Sequence, residues 1–253
     1  FFLGTMGHQS GILLPVLFFS FFVFLYKLIL KYKWRVRKIP SEKLFLLCFF
    51  IPVFGGFLLV SFFYWVKLNW MMPAYISGII WVGAYFNMKW IRIQYIISLI
   101  LHLVFAYVII FYPVPVRSDD TWYGWKELAV AVEQIQKQDP NSFIFSVDEY
   151  KVSAELGLYL DQDIYAANII GRPALQYDYI GTNLLTLKGR DAILIQSRPH
   201  FKEEGKENDQ PPLLNKYFDS VIQLEPILIK KGSKTVRKFL VYRCVNYHPQ
   251  TTP

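Results

Sequence analysis

Residues 67–75 read KLNWMMPAY and place Lys67, Asn69 and Trp70 in a short polar gap between two long apolar runs. A lysine at the end of an apolar helix can hold an anion at the level of the lipid headgroups through a charge-assisted hydrogen bond. Asn69 can donate to phosphate or hydroxyl oxygens, and the Trp70 ring can pack on a ligand ring or a lipid chain. Pro73 suits the first turn of a following helix, where its missing N–H is not needed. The same residues also have a structural reading, with Lys67 snorkelling, Trp70 in an aromatic belt and Asn69 capping a helix.

Other groups with chemical potential lie further along. Asp119 and Asp120 are adjacent acids able to act as a base or to bind a divalent ion, and equally able to cap a helix and complement its dipole. Asp148, Glu149 and Tyr150 follow a short apolar strand directly, where open α/β sheets place ligand-contacting groups. GRPALQYDY supplies Arg172, Gln176, Tyr177 and Asp178, a mixture of planar donors, acceptors and rings that suits a sugar or peptide. Structurally, Asp148 caps its helix and Arg172 pairs with Asp178. His102 is ionisable in the middle of an apolar run, which marks function by default, although a neutral histidine bonded to a neighbouring helix is the plainer outcome. His8, Gln9 and Ser10 precede the first such run. Cys48 and Cys244 lie in different regions and imply no disulfide or metal framework.

The elements that position these groups begin in lipid. The chain has 253 residues, 54% of them hydrophobic, with a mean hydropathy of +0.28, too apolar for one ordinary water-soluble domain. Apolar runs at about 11–30, 44–66, 70–88 and 93–112 approach the ~20 residues that a helix needs to cross ~30 Å of hydrocarbon, predicting four transmembrane helices. The link KYKWRVRKIPSEK carries six cations against Glu42, and NMKWIR carries Lys89 and Arg92. Both links are therefore expected on the cytoplasmic side, with the 67–73 gap and everything after Tyr112 outside. The net charge of +8 is not a nucleic-acid footprint, because the cations concentrate in these inner links and the outer part is close to neutral. With this topology Phe1 falls outside, an arrangement expected of the C-terminal piece of a longer multispan protein.

Residues 113–253 alternate helical and strand patterns. Trp125, Leu128, Val132 and Ile135 share a helical face, SFIFSV, DIYAAN and DAILIQS read as strands, and a helix is expected to start near Asp148. RPHFKEEGKENDQPP reads as a charged loop, and SVIQLEPILIK with TVRKFLVYRCV as an antiparallel hairpin. The expected fold is thus a multispan α-helical membrane region, residues 1–112, followed by a small extracytoplasmic α/β domain with a mixed sheet.

KLNWMMPAY, GWKELAVAV, SVDEYKVSAELGLYL, GRPALQYDY and KGRDAILIQ together resemble the C-terminal portion of bacterial membrane glycosyltransferases of the protein O-mannosyltransferase-like, GT-C class. The resemblance implies a polyprenyl-phosphate-linked sugar as donor, a protein, lipid or glycan acceptor, and transfer at the outer face of the cytoplasmic membrane. It places Lys67, Asn69 and Trp70 at the donor, and it leaves a divalent metal open as cofactor. In this class the catalytic carboxylate belongs to the first extracytoplasmic loop, to which no segment here corresponds, so these residues alone are expected to be inactive. Two other classes compete with this one. A non-enzymatic membrane-anchored binding domain needs no polar gap at 67–70. A transporter or flippase portion needs polar or broken spans, for which only IPVFGG and His102 qualify.

Overall fold

The computed structural model describes residues 1–116, 118–148, 150–179, 183–201 and 210–249. The chain divides into two compact units, residues 1–110 and 111–253.

Six helices build the first unit: α1 (Phe2–Leu13), α2 (Pro15–Tyr32), α3 (Ser41–Phe50), α4 (Gly56–Val60), α5 (Met72–Gly83) and α6 (Met88–Phe111). Three helical stretches, Pro15–Tyr32, Ser41–Val60 and Met88–Phe111, are long and apolar enough to cross a membrane. The run expected at 11–30 is instead two helices. Proline disfavours the helical conformation in the residue before it, and Leu14 sits at φ 64° with Pro15 opening α2. The Leu13 carbonyl at this break accepts a hydrogen bond from Gln94 Nε2 at 2.9 Å.

The run expected at 44–66 stays helical only to Val60, and it passes through a π-helical turn at Ile51–Gly55 that contains Pro52. A proline in a helix removes a donor and crowds the preceding turn, and widening the turn accommodates it. IPVFGG therefore does not unwind the helix. The third expected span, 70–88, shortens to the twelve residues of α5, about 18 Å at 1.5 Å per residue. Turns flank it on both sides.

Helices α2, α3 and α5 meet in an aromatic core of Phe18, Phe21, Phe50, Phe54 and Trp81. Phe50 and Phe54 stack at 4.8 Å, and Phe21 meets Phe50 edge-on at the same distance. Gly78 admits this packing, since a Cβ there would lie 2.8 Å from the Phe50 ring and 3.0 Å from Phe21. By contrast α6 buries no residue, and its mostly apolar surface, interrupted by Lys89 and Arg92 in its first turns and by Gln94, Ser98 and His102, suits a lipid environment.

The second unit is a six-stranded mixed sheet: β1 (Phe143–Ser146), β2 (Ile164–Tyr165), β3 (Ala192–Ser197), β4 (Phe218–Gln223), β5 (Ile227–Lys231) and β6 (Lys234–Tyr247). The order is β2-β1-β3-β6, with β1 parallel to both β2 and β3 and β6 antiparallel to β3. The strand expected across SVIQLEPILIK is split at Leu224–Pro226 into β4 and β5. Both pair antiparallel with β6 on the edge opposite β3, β4 against its C-terminal part and β5 against its N-terminal part.

Helices α7 (Trp125–Gln136) and α8 (Lys151–Tyr159) cover one sheet face, over Ile144, Ile193, Ile195, Phe239 and Val241. The alternate residues Phe143, Phe145, Leu194, Leu240 and Tyr242 face the other side, under short 3₁₀ turns that include Ile169, Leu187 and Leu214. Strand alternation thus feeds two separate cores from one sheet. Burial pushes the Cys244 thiol well above its ordinary pKa, so it is chemically quiet.

Replacing Gly78 with leucine drives a side chain into the Phe21 and Phe50 rings. A loss of about 1–3 kcal/mol is expected for such overpacking, read as a lower melting temperature of the detergent-solubilised chain, whereas Leu at the exposed Ile79 leaves it unchanged.

Candidate functional site

The 67–70 turn is held from both ends. Val66 and Met71 are buried, while Lys67, Asn69 and Trp70 stay exposed. Backbone bonds from Trp70 N to Lys67 O and from Met72 N to Asn69 O, both 3.2 Å, close the turn. The buried Gln9 accepts from the Tyr75 hydroxyl and donates from Nε2 to the Leu68 carbonyl at 3.3 Å, pinning the turn to α1 and α5. Pro73 lies in the first turn of α5, and no side chain caps that helix, so Asn69 is not its cap. Among the described residues neither Lys67 nor Asn69 has a side-chain partner, while the Trp70 ring packs on Phe57 at 5.5 Å.

The neighbouring polar groups resolve structurally. His8 packs edge-on against Trp65 at 5.1 Å, and Ser10 donates to the Gly7 carbonyl. His102 Nδ1 lies 2.7 Å from the Ser98 carbonyl of its own helix, not of a neighbour; a carbonyl only accepts, so Nδ1 carries the proton.

In the second unit a cleft of about 340 Å³ opens at the carboxyl ends of β1 and β3, lined by Asp119, Val147, Asp148, Arg172, Gln196, Ser197, Pro211 and Pro212. The topology puts it there. From β1 the chain crosses through α8 on one face to reach β2, then returns to β3 through turns on the other face. The strand order therefore reverses between β1 and β3, and open α/β sheets form their ligand crevices at such a point.

Asp148 leaves β1 and its carboxylate accepts from Val152 N in the first turn of α8 at 2.9 Å and from the Ser146 hydroxyl. The helix expected near Asp148 starts at Lys151, with Tyr150 at its N-cap, and the Asp148 carboxylate reaches its first turn from two residues before that cap. Asp119 is held more firmly. It accepts from Arg237 Nη2 at 3.0 Å and from the Ser197 hydroxyl, and the Arg237 side chain is only 5% exposed. The guanidinium lies 3.8 Å from the Trp125 ring centre and 4.7 Å from that of Phe239, and Nη1 donates to the Tyr123 carbonyl at 3.1 Å. Burial pushes the Arg237 pKa down and Asp119 opposes this, but an arginine remains charged at any physiological pH.

Neither acid of the 119–120 pair caps α7, whose N-cap is Gly124 at φ 89°; a Cβ there would meet Ile229 at 2.7 Å. Asp120 instead forms an exposed pair with Lys151 at 2.6 Å, which holds its carboxyl below the usual range.

Of the GRPALQYDY residues, Arg172 reaches the cleft, with no side-chain partner among the described residues. The pairing of Arg172 with Asp178 does not form; Asp178 accepts from Ala174 N at 2.8 Å. Tyr177 is half-buried, and its phenol pKa is raised first by burial and then by the charge of Asp148. Exposed Gln176 and Tyr150 at the N-cap of α8 do not line the cleft. Glu149 lies outside the described residues.

Gln196, Ser197 and Arg237 went unnoticed in the sequence. A signal exists for the first two: they end an apolar strand as Asp148 follows another, and Gln196 Oε1 is buried without a partner. No family model, curated protein or solved structure matches this chain.

The two adjacent acids should separate in stability measurements. Asp119→Ala strands a buried guanidinium and is expected to cost about 3–5 kcal/mol, whereas Asp120→Ala, at a solvent-screened pair, costs less than about 1 kcal/mol. Urea unfolding followed by tryptophan fluorescence reads both. Because the folded-state pKa of Asp120 is depressed, its small contribution is present above the ordinary carboxylate pKa and fades as pH falls through the folded value.

Proposed function

We propose that this chain is part of an integral-membrane glycosyltransferase that moves a sugar from a polyprenyl-phosphate donor to an acceptor at the outer face of the cytoplasmic membrane. The observation that carries this reading is the anchored turn at 67–70. Its backbone is fixed through Gln9, Tyr75 and the first turn of α5, while the Lys67 ammonium and the Asn69 amide remain unengaged. A snorkelling lysine needs no such anchoring, whereas a cation that meets a lipid phosphate gains from being pre-positioned.

In this reading the acceptor hydroxyl oxygen attacks the anomeric carbon, the anomeric C–O bond breaks, and polyprenyl phosphate leaves with the electron pair. Lys67 offsets the charge that grows on the departing phosphate oxygen. The hydroxyl proton goes to a general base, which the family resemblance assigns to an outer-loop carboxylate without counterpart in these residues.

The membrane topology in this proposal has four crossings. The three long helices cross directly, and α5 completes a fourth through the turns that flank it, leaving the basic links 31–43 and 87–92 inside and the α/β domain outside. Alkaline phosphatase fused after residue 249 is then active and the same reporter fused after residue 38 inactive; the opposite pattern overturns the topology.

Donor recognition is read directly by titrating the detergent-solubilised chain with undecaprenyl phosphate. Lys67→Ala is expected to weaken binding about tenfold or more, the scale of a lost charged hydrogen bond. Equal affinity in both proteins removes Lys67 from the donor site.

A further inference from the structure

We infer that the cleft between the carboxyl ends of β1 and β3 binds an uncharged saccharide, held by Arg172, Gln196 and Asp148. The inference rests on the glycosyltransferase reading only in taking this saccharide as belonging to the acceptor.

Charge balance defines the ligand class. The negative charge of Asp119 is already matched by Arg237, which lies beneath it. Asp148 is engaged by the Ser146 hydroxyl and the Val152 N–H, and it sits at the favourable end of the α8 dipole. Among the described residues that line the cleft, the cation without an ion-pair partner is Arg172, which shares the lining with the Asp148 carboxylate. A phosphate entering the cleft would meet two carboxylates, and a metal cation would meet the guanidinium. A neutral ligand suffers neither repulsion.

Hydrogen-bonding capacity narrows it further. Gln196 Oε1 is buried with no donor to satisfy it, and such an atom is costly unless a ligand supplies the bond. Arg172 has only donors to offer and the carboxylates only acceptors. A ligand must therefore donate to Gln196 and Asp148 and accept from Arg172. Vicinal hydroxyls do both within one small ring, since each donates once and accepts twice. Val147, Pro211 and Pro212 provide the apolar surface against which the C–H face of a sugar ring can lie. The volume of about 340 Å³ lies at the small end of the ~300–1,000 Å³ typical of ligand pockets.

The strand alternation explains why Gln196 and Ser197 diverge. Ser197 points to the α7 side and is consumed by Asp119, while Gln196 points to the opposite side, where the β2–β3 connection delivers Arg172. The two walls of the cleft thus come from opposite faces of the sheet. One wall is structurally committed and the other is available to a ligand.

The test is saturation-transfer NMR on the detergent-solubilised chain with methyl hexosides and a hexose disaccharide, alongside titrations with inorganic phosphate and Mn²⁺. We expect saccharide binding that Gln196→Leu and Arg172→Ala each weaken about tenfold, with the melting temperature of both variants unchanged. Lys67→Ala, which acts on the donor turn, should leave this binding intact. Saccharide binding that persists in both cleft variants, preferential binding of phosphate or Mn²⁺, or no saccharide binding at all overturns the inference. The outcomes separate the two proposals: an unmutated chain that binds undecaprenyl phosphate but no saccharide defeats the cleft alone, and one that binds saccharide but no undecaprenyl phosphate defeats the donor site alone.

Discussion

Arg237 is buried among aromatic rings in the second unit, and a guanidinium in that position must be neutralised or the unit loses stability. Asp119 supplies the neutralising charge from a linker 118 residues earlier in the chain. Their contact fixes the start of the unit against β6, seats Trp125 over the guanidinium, and orients the Ser197 hydroxyl at the end of β3. Buried ion pairs are weak sources of net stability but strong constraints on geometry once formed, because breaking one leaves an uncompensated charge. The floor of the cleft inherits that constraint.

The first unit, with its three helices long and apolar enough to cross a membrane, meets a related problem with backbone groups. Pro15 and Pro52 each interrupt the regular ladder of an apolar helical run, and each interruption is absorbed locally. The Leu13 carbonyl finds Gln94, and the helix around Pro52 widens into a π turn. Irregular backbone at membrane depth is tolerated only when its polar groups find such partners. The same economy pins the 67–70 turn, where Gln9 uses both ends of its amide and leaves Lys67 and Asn69 exposed.

The two proposed contact regions therefore share a logic within their separate units. In each, buried polar bonds hold the backbone and consume some of the neighbouring functional groups, and those left unengaged are the ones that can meet a ligand. Asp148 shows the overlap most directly: it bonds the first-turn Val152 N–H of α8 much as a cap would, yet it still lines the cleft. Capping uses one lone pair on an oxygen, and a carboxylate has several.

Much of this was readable in the sequence, because apolar length, basic links and strand patterning are local properties. They established helices long and apolar enough to cross a membrane, a following α/β unit, the strands at 143–146 and 192–197, and the position of Asp148 at a strand end. The helix breaks were harder to read, since a proline at Pro15 or Pro52 is compatible with a kink, a π turn or a full stop, and neighbouring side chains choose among them. Which acids serve as caps and which as ion pairs was not legible at all: Asp119 and Asp120 are adjacent in sequence, yet one meets a buried arginine of β6 and the other an exposed lysine of α8. The cleft also had to await the fold, because its residues come from five separate segments that converge only where the strand order reverses. Local periodicity specifies elements, whereas the pairing of charges across more than a hundred residues depends on how those elements pack.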